Sequence, residues 1–110
     1  MDYPAWLDRL PLADVTFPGA EGRLLSAAHG QVVFWSFRDG GSVPPHAHGP
    51  QMGVVLSGSV TLTVDDGTTT WRAGDHFFIE DGQTHSAVIE PGSRIIEVFA
   101  ENDRHRARSS

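Results

Sequence analysis

The run Gly40-Gly41-Ser42-Val43-Pro44-Pro45-His46-Ala47-His48-Gly49-Pro50-Gln51-Met52-Gly53-Val54-Val55-Leu56-Ser57-Gly58 decides how this chain is read. His46 and His48 stand two residues apart, and on an extended strand such residues project to the same side, so both imidazoles can reach one cation. Pro44 and Pro45 favour that extended backbone and remove its donors. Two solvated surface histidines would produce the same short pattern, so the choice falls to the rest of the chain.

Outward from this stretch, short runs of β-branched and aromatic residues alternate with turn residues, which reads as all-β. The expected strands are Arg23–Ala28, Val32–Arg38, Gly53–Leu56, Ser59–Val64, Thr68–Arg72, His76–Ile79, Ser86–Ile89 and Arg94–Phe99, after an opening segment, Pro4 to Leu10, with one or two helical turns. Tight turns fall at Asp65-Asp66-Gly67, Ala73-Gly74-Asp75 and Glu80-Asp81-Gly82, where Gly or Asp tolerates positive φ. Turns every 8–12 residues or so, without a long helical period, point to a sandwich or small barrel. Val60, Leu62 and Val64 alternate with Thr61 and Thr63, giving one dry face and one wet face. Val32 to Phe37 and Arg94 to Phe99 are apolar on both parities instead, so a second surface must cover them, and a homodimer interface is the expected cover.

The chain of 110 residues has room for one core, and 39% hydrophobic against 20% charged residues is the balance of a chain that folds alone. A net charge of -6 repels phosphate backbones. Arg104, Arg106 and Arg108 are the one basic cluster, and with Glu101, Asp103, Ser109 and Ser110 around it the segment reads as a solvated, flexible tail, so nucleic acid is not an expected partner. No apolar window is long enough for a membrane span, and no signal-like start is present, so a soluble cytoplasmic protein is expected. With no cysteine, a metal site would have to be built from imidazole, carboxylate, amide and water.

Two separated segments carry a resemblance to the cupin family. Gly40, His46, His48 and Gly58 match its first motif, with Gln51 where the family usually has Glu, and Gly74, Gly82 and His85 match its second. Glu80 replaces the motif's Pro and Ile89 its Asn. The resemblance implies one cupin domain over 1–110, a double-stranded β-helix (jelly-roll) barrel with an N-terminal segment at 1–12 and a flexible tail at 102–110. It implies one divalent metal ion, Zn, Ni, Fe, Mn or Cu, on His46, His48 and His85, with Gln51 either a fourth ligand or a polar wall residue. His29, His76 and His105 are expected to be solvated or capping residues.

The run from Gln51 to Gly58 is similar to Gln-Ile-Gly-Tyr-Val-Val-Ser-Gly of the cupins of pectin degradation that open the ring of unsaturated uronic acids, and Ile95-Ile96-Glu97-Val98-Phe99 is similar to their Leu-Leu-Asp-Thr-Phe. That likeness implies Gln51 as ligand, Glu97 as proton shuttle and Phe99 as pocket wall, though Phe99 as plain core fits the sequence equally. The subgroup's carboxylate-binding Arg aligns nearer Asp103 than Arg104, and Arg38 is a candidate substitute. Two classes of function stay open: a metal-dependent enzyme isomerising a small sugar acid or similar anion, with iron-dependent dioxygenation as its variant, and a non-catalytic cupin that binds or senses a small molecule.

Overall fold

In the computed structural model, which describes residues 2–16 and 18–108, alternation of apolar and polar side chains sorts the strands into two antiparallel sheets. After a 3-10 turn at Ala5–Arg9 come β1 (Ala20–Ala27), β2 (Gly30–Phe37), β3 (Gly41–His46), β4 (Gln51–Ser57), β5 (Ser59–Val64), β6 (Gly67–Arg72), β7 (His76–Ile79), β8 (His85–Ile89) and β9 (Ser93–Phe99). One sheet has the order β1-β2-β9-β4-β7 and the other β3-β8-β5-β6. The all-β jelly-roll class expected from the sequence is the class the chain adopts.

All eight expected strands are present, Ser59–Val64 and His76–Ile79 with the expected ends and the other six with shifted ones, and β3 is an addition. Its prolines argue against a central strand, but β3 is the edge of its sheet, where a missing donor on one side costs nothing. The register with β8 breaks between Val43 and His46, where the prolines sit. β4 begins two residues before the expected start, so Gln51 is a strand residue, opposite Phe99 on one side and Ile79 on the other.

The core lies between the sheets. Leu24, Val33, Trp35, Phe37, Val55, Phe77, Ile95 and Phe99 from the larger sheet meet Val60, Leu62 and Ile89 from the smaller. Two glycines serve this packing by close approach. A Cβ on Gly53 would run into the ring of Phe77, its cross-strand neighbour, and one on Gly58, at φ 74°, would run into Ser93.

The termini are tied to the larger sheet. Tyr3 sets its ring edge-on against Phe34 on the outer face of β2, 5.9 Å between centroids, and donates its hydroxyl to the Trp35 carbonyl at 2.7 Å. The C-terminal segment departs from the expected solvated tail, since it folds back along the barrel. Asp14 N donates to Arg106 O at 2.8 Å and Arg108 N to Leu12 O at 2.7 Å. The physical reason is Gln31, buried at an inward position of β2, whose amide needs partners and finds the backbone of His105. Its Nε2 donates to His105 O at 2.9 Å, and its Oε1 accepts from His105 N at 3.0 Å. Ser109 and Ser110 lie outside the described residues. No described helix is long and apolar enough to cross a membrane.

Candidate metal centre

Register brings the three motif histidines together. His46 at the end of β3 pairs with His85 at the start of β8, and His48 follows one extended step later. Their ring centroids lie 4.2 Å apart for His46 and His85, 4.9 Å for His48 and His85, and 5.2 Å for His46 and His48. One ring nitrogen from each falls within 4.8 Å of the others, the spacing needed to share an ion.

Each imidazole is held by its own local backbone. Nδ1 of His46 meets Pro44 O at 2.9 Å, Nδ1 of His48 meets Gly49 O at 2.8 Å, and Nδ1 of His85 meets Gln83 O at 2.9 Å. A carbonyl can only accept, so each Nδ1 carries a proton, and in the neutral ring the lone pair then falls on Nε2. This is the tautomer a metal ligand needs, fixed in advance by backbone contacts. Burial, outweighing those carbonyl contacts, lowers the pKa of His48 and of His85, which favours the neutral, metal-binding form. Three convergent imidazole nitrogens fit a divalent metal such as Zn, Ni, Cu or Fe. The loop carrying His48 is pinned by Glu101, whose carboxylate accepts from Gly49 N at 2.8 Å, and by Gly82 N, which donates to His48 O at 3.0 Å.

Gln51 is 8% exposed and lines the same cavity of about 720 Å³ as the histidines. Its Nε2 donates to Oε2 of Glu97 in a short contact. Glu97 and Phe99 share the inward parity of β9 and both line this cavity, as do Trp35, Arg104 and His105. The Glu97 carboxyl lies deep among protein atoms with one face toward the cavity. Burial pushes it up to about 7, against the opposing pull of Trp35, Gln51 and Arg104.

Arg38 does not reach the site. Phe37 points into the barrel, so the next residue points away, and the Arg38 side chain is 78% exposed and paired with Asp39 at 3.4 Å. Arg104 lines the cavity instead, 6.0 Å from the Phe99 ring centroid, with its Nε buried and without a hydrogen-bond partner among the described residues. His105 is the other correction: read as a solvated tail residue, it packs edge-on against Trp35 at 5.1 Å and Phe99 at 5.4 Å, and burial lowers its pKa to about 4. The available signal for both was Gln31, a buried-parity amide that demands a backbone strand or segment beside it.

A two-sheet β-barrel whose one end gathers three inward imidazoles defines a metal-binding barrel protein. The sequence model of the family described as "Cupin domain" matches residues 33–100, and the chain belongs to that family. KdgF from Halomonas sp. superposes with a TM-score of 0.73 at 27% identity, over 84% of this chain and 87% of that one. An RmlC-like cupin from Shewanella frigidimarina superposes with a TM-score of 0.77 at 24% identity over 94% of each chain, a likeness of fold. No curated protein sequence matches the chain.

Proposed function

We propose that this metal-binding cupin is a Lewis-acid isomerase that opens the ring of a small unsaturated sugar acid or a similar oxygen-rich anion. The observation that carries the reading is the place of Glu97, a buried carboxyl in the cavity of the three histidines and hydrogen-bonded to Gln51. A carboxyl at that place can both take and return a proton. The likeness to KdgF and to the ring-opening cupins supports the same choice.

His46, His48 and His85 hold the metal, and Gln51 is its fourth ligand, through the amide oxygen left free when Nε2 donates to Glu97. When bound, the ion supplies Lewis-acid polarisation of a substrate oxygen. Four neutral ligands leave its charge uncompensated, which favours an anionic substrate. Arg104 receives the substrate carboxylate. Glu97 accepts the proton of the anomeric hydroxyl as the ring C–O bond breaks to an aldehyde and an enolate. The same carboxyl then returns the proton to the enolate carbon, so no co-reactant is consumed. Phe99 is the wall between Arg104 and His48, 5.6 Å from the latter ring.

Unsaturated galacturonate, followed by loss of its ultraviolet absorbance, tests the reading. Glu97→Gln is expected to lower turnover at least tenfold, within the range of general acid–base catalysis, while elemental analysis finds the metal retained. Equal turnover by the variant would reject the proton-shuttle role.

A further inference from the structure

We propose that the barrel behind the three histidines holds the apolar body of an amphiphilic substrate, a carboxylic acid whose oxygen-rich head sits at the imidazoles and whose hydrocarbon part points inward. The inference goes beyond the ring-opening reading, since a uronate carries no hydrocarbon part, and rests on it only for where the head lies.

Strand register sorts the cavity wall by depth. On the smaller sheet the outermost row sets His46 opposite His85. The next row inward is Leu62, Ala87 and Val43, and the row beyond sets Val60 beside Ile89. Each step is two residues, roughly 6.6–6.8 Å along a strand. On the facing sheet Gln51 and Phe99 form the outer row, Glu97 lies one row deeper, and Trp35 with Ile95 one deeper again. Polar chemistry therefore ends at Glu97 and the indole N–H of Trp35 that faces its carboxyl.

The cavity of about 720 Å³ extends past this boundary, because Leu62, Val60, Ile89 and Ile95 line it as well as the histidines. That volume, which includes the mouth open to solvent, lies within the roughly 300–1,000 Å³ of pockets that hold drug-sized ligands. Hydroxyls carried to this depth would lose water and find no partner, which costs free energy, whereas methylenes or an aromatic ring would gain by burial. Ala87, which lines the cavity, is the one small side chain in a row otherwise of Leu62 and Val43, so a larger residue there would take room from the chamber.

Isothermal titration of the protein, metal-loaded and metal-free, with straight-chain carboxylates from acetate to octanoate tests the proposal. Affinity should rise by up to about fourfold per methylene and then level off when the chamber is full, and binding should carry a negative heat-capacity change. Ala87→Leu and, independently, Val43→Leu should each reduce the octanoate-to-acetate affinity ratio at least fivefold. A ratio within twofold of one in the native protein overturns the proposal, and so does tighter binding of D-galacturonate than of hexanoate. An unchanged ratio in both variants overturns it too, by placing the chain outside the barrel. Failure to turn over unsaturated uronates with the chain-length series intact would sink the ring-opening reading alone.

Discussion

Burial acts on Glu97 and His105 with opposite sign, because each prefers its neutral form away from water. His105 stays neutral in the fold down to about pH 4, whereas an unfolded histidine takes up its proton near 6.5. Between those values the unfolded chain binds more protons, so the stability His105 contributes is complete above pH 6.5 and falls away toward pH 4. The effect should be about 1–2 kcal/mol, less than the full shift implies because solvent reaches part of the ring. Glu97 runs the other way: its pKa is raised, so its contribution is present at low pH and is lost as pH rises through about 7. Urea unfolding at pH 7.5 and pH 5 checks the first claim, since His105→Phe should flatten the acid-side loss, and an identical loss in variant and native protein would refute it. The metal ligands give a second test at this scale. A divalent ion at a hundred times its dissociation constant should stabilise the fold by about 2.7 kcal/mol, an increment that a chelator or His85→Ala removes. Thermal unfolding that ignores the ion would count against the site. His46 and His48 were legible in the sequence because a strand's period of two aims both without knowledge of the fold, whereas His85 was legible only through the second family motif. Arg104 and His105 were not, because their place depends on a segment held by Gln31, 74 residues from His105.

At the scale of elements, legibility followed the alternation of side chains and failed where backbone chemistry masked it. β5 declares its dry face through Val60, Leu62 and Val64, two of which are buried. β3 has Pro44 and Pro45 where an alternating pattern should run, so only its edge position explains how it pairs, and no local signal announces that position. Gly53 shows the converse, a residue that weakens a strand by propensity and is required by packing. It lies between Phe77 on β7 and Glu97 on β9, and the Phe77 ring occupies the space a side chain would take. Gly53→Ala should therefore cost about 1–3 kcal/mol by overpacking, although alanine favours a strand backbone more than glycine does. Chemical denaturation reads this directly. A change below about 0.5 kcal/mol, the usual size for a surface substitution, would mean that Phe77 moves aside freely.

For the molecule as a whole, the expected need for a second covering surface can now be located. Tyr3 covers Phe34, but one row along the outer face of the larger sheet remains apolar from edge to edge. Leu25, Val32, Val98, Met52 and Phe78 stand opposite one another on β1, β2, β9, β4 and β7, with Leu25 52%, Val98 38% and Phe78 67% exposed. Because β9 is the central strand, a two-fold axis through Val98 and along the strands would lay β1 of one copy on β7 of another. Leu25 then meets Phe78, and His29 at the β1 end approaches Glu80 and Asp81 beyond β7, all of which border the same groove. The pairing of apolar row on apolar row, with an imidazole facing two carboxylates at its end, makes a second copy of this chain the proposed occupant. A face of five strands has the width for the roughly 800 Å² per partner that a stable dimer buries. Light scattering should find a dimer at micromolar concentration. Val98→Glu should convert it to a monomer, since like charges would meet on the axis, with the metal content unchanged because Val98 points away from the cavity. A native protein that is monomeric under those conditions, or a Val98→Glu variant that stays dimeric, would remove this face as the interface.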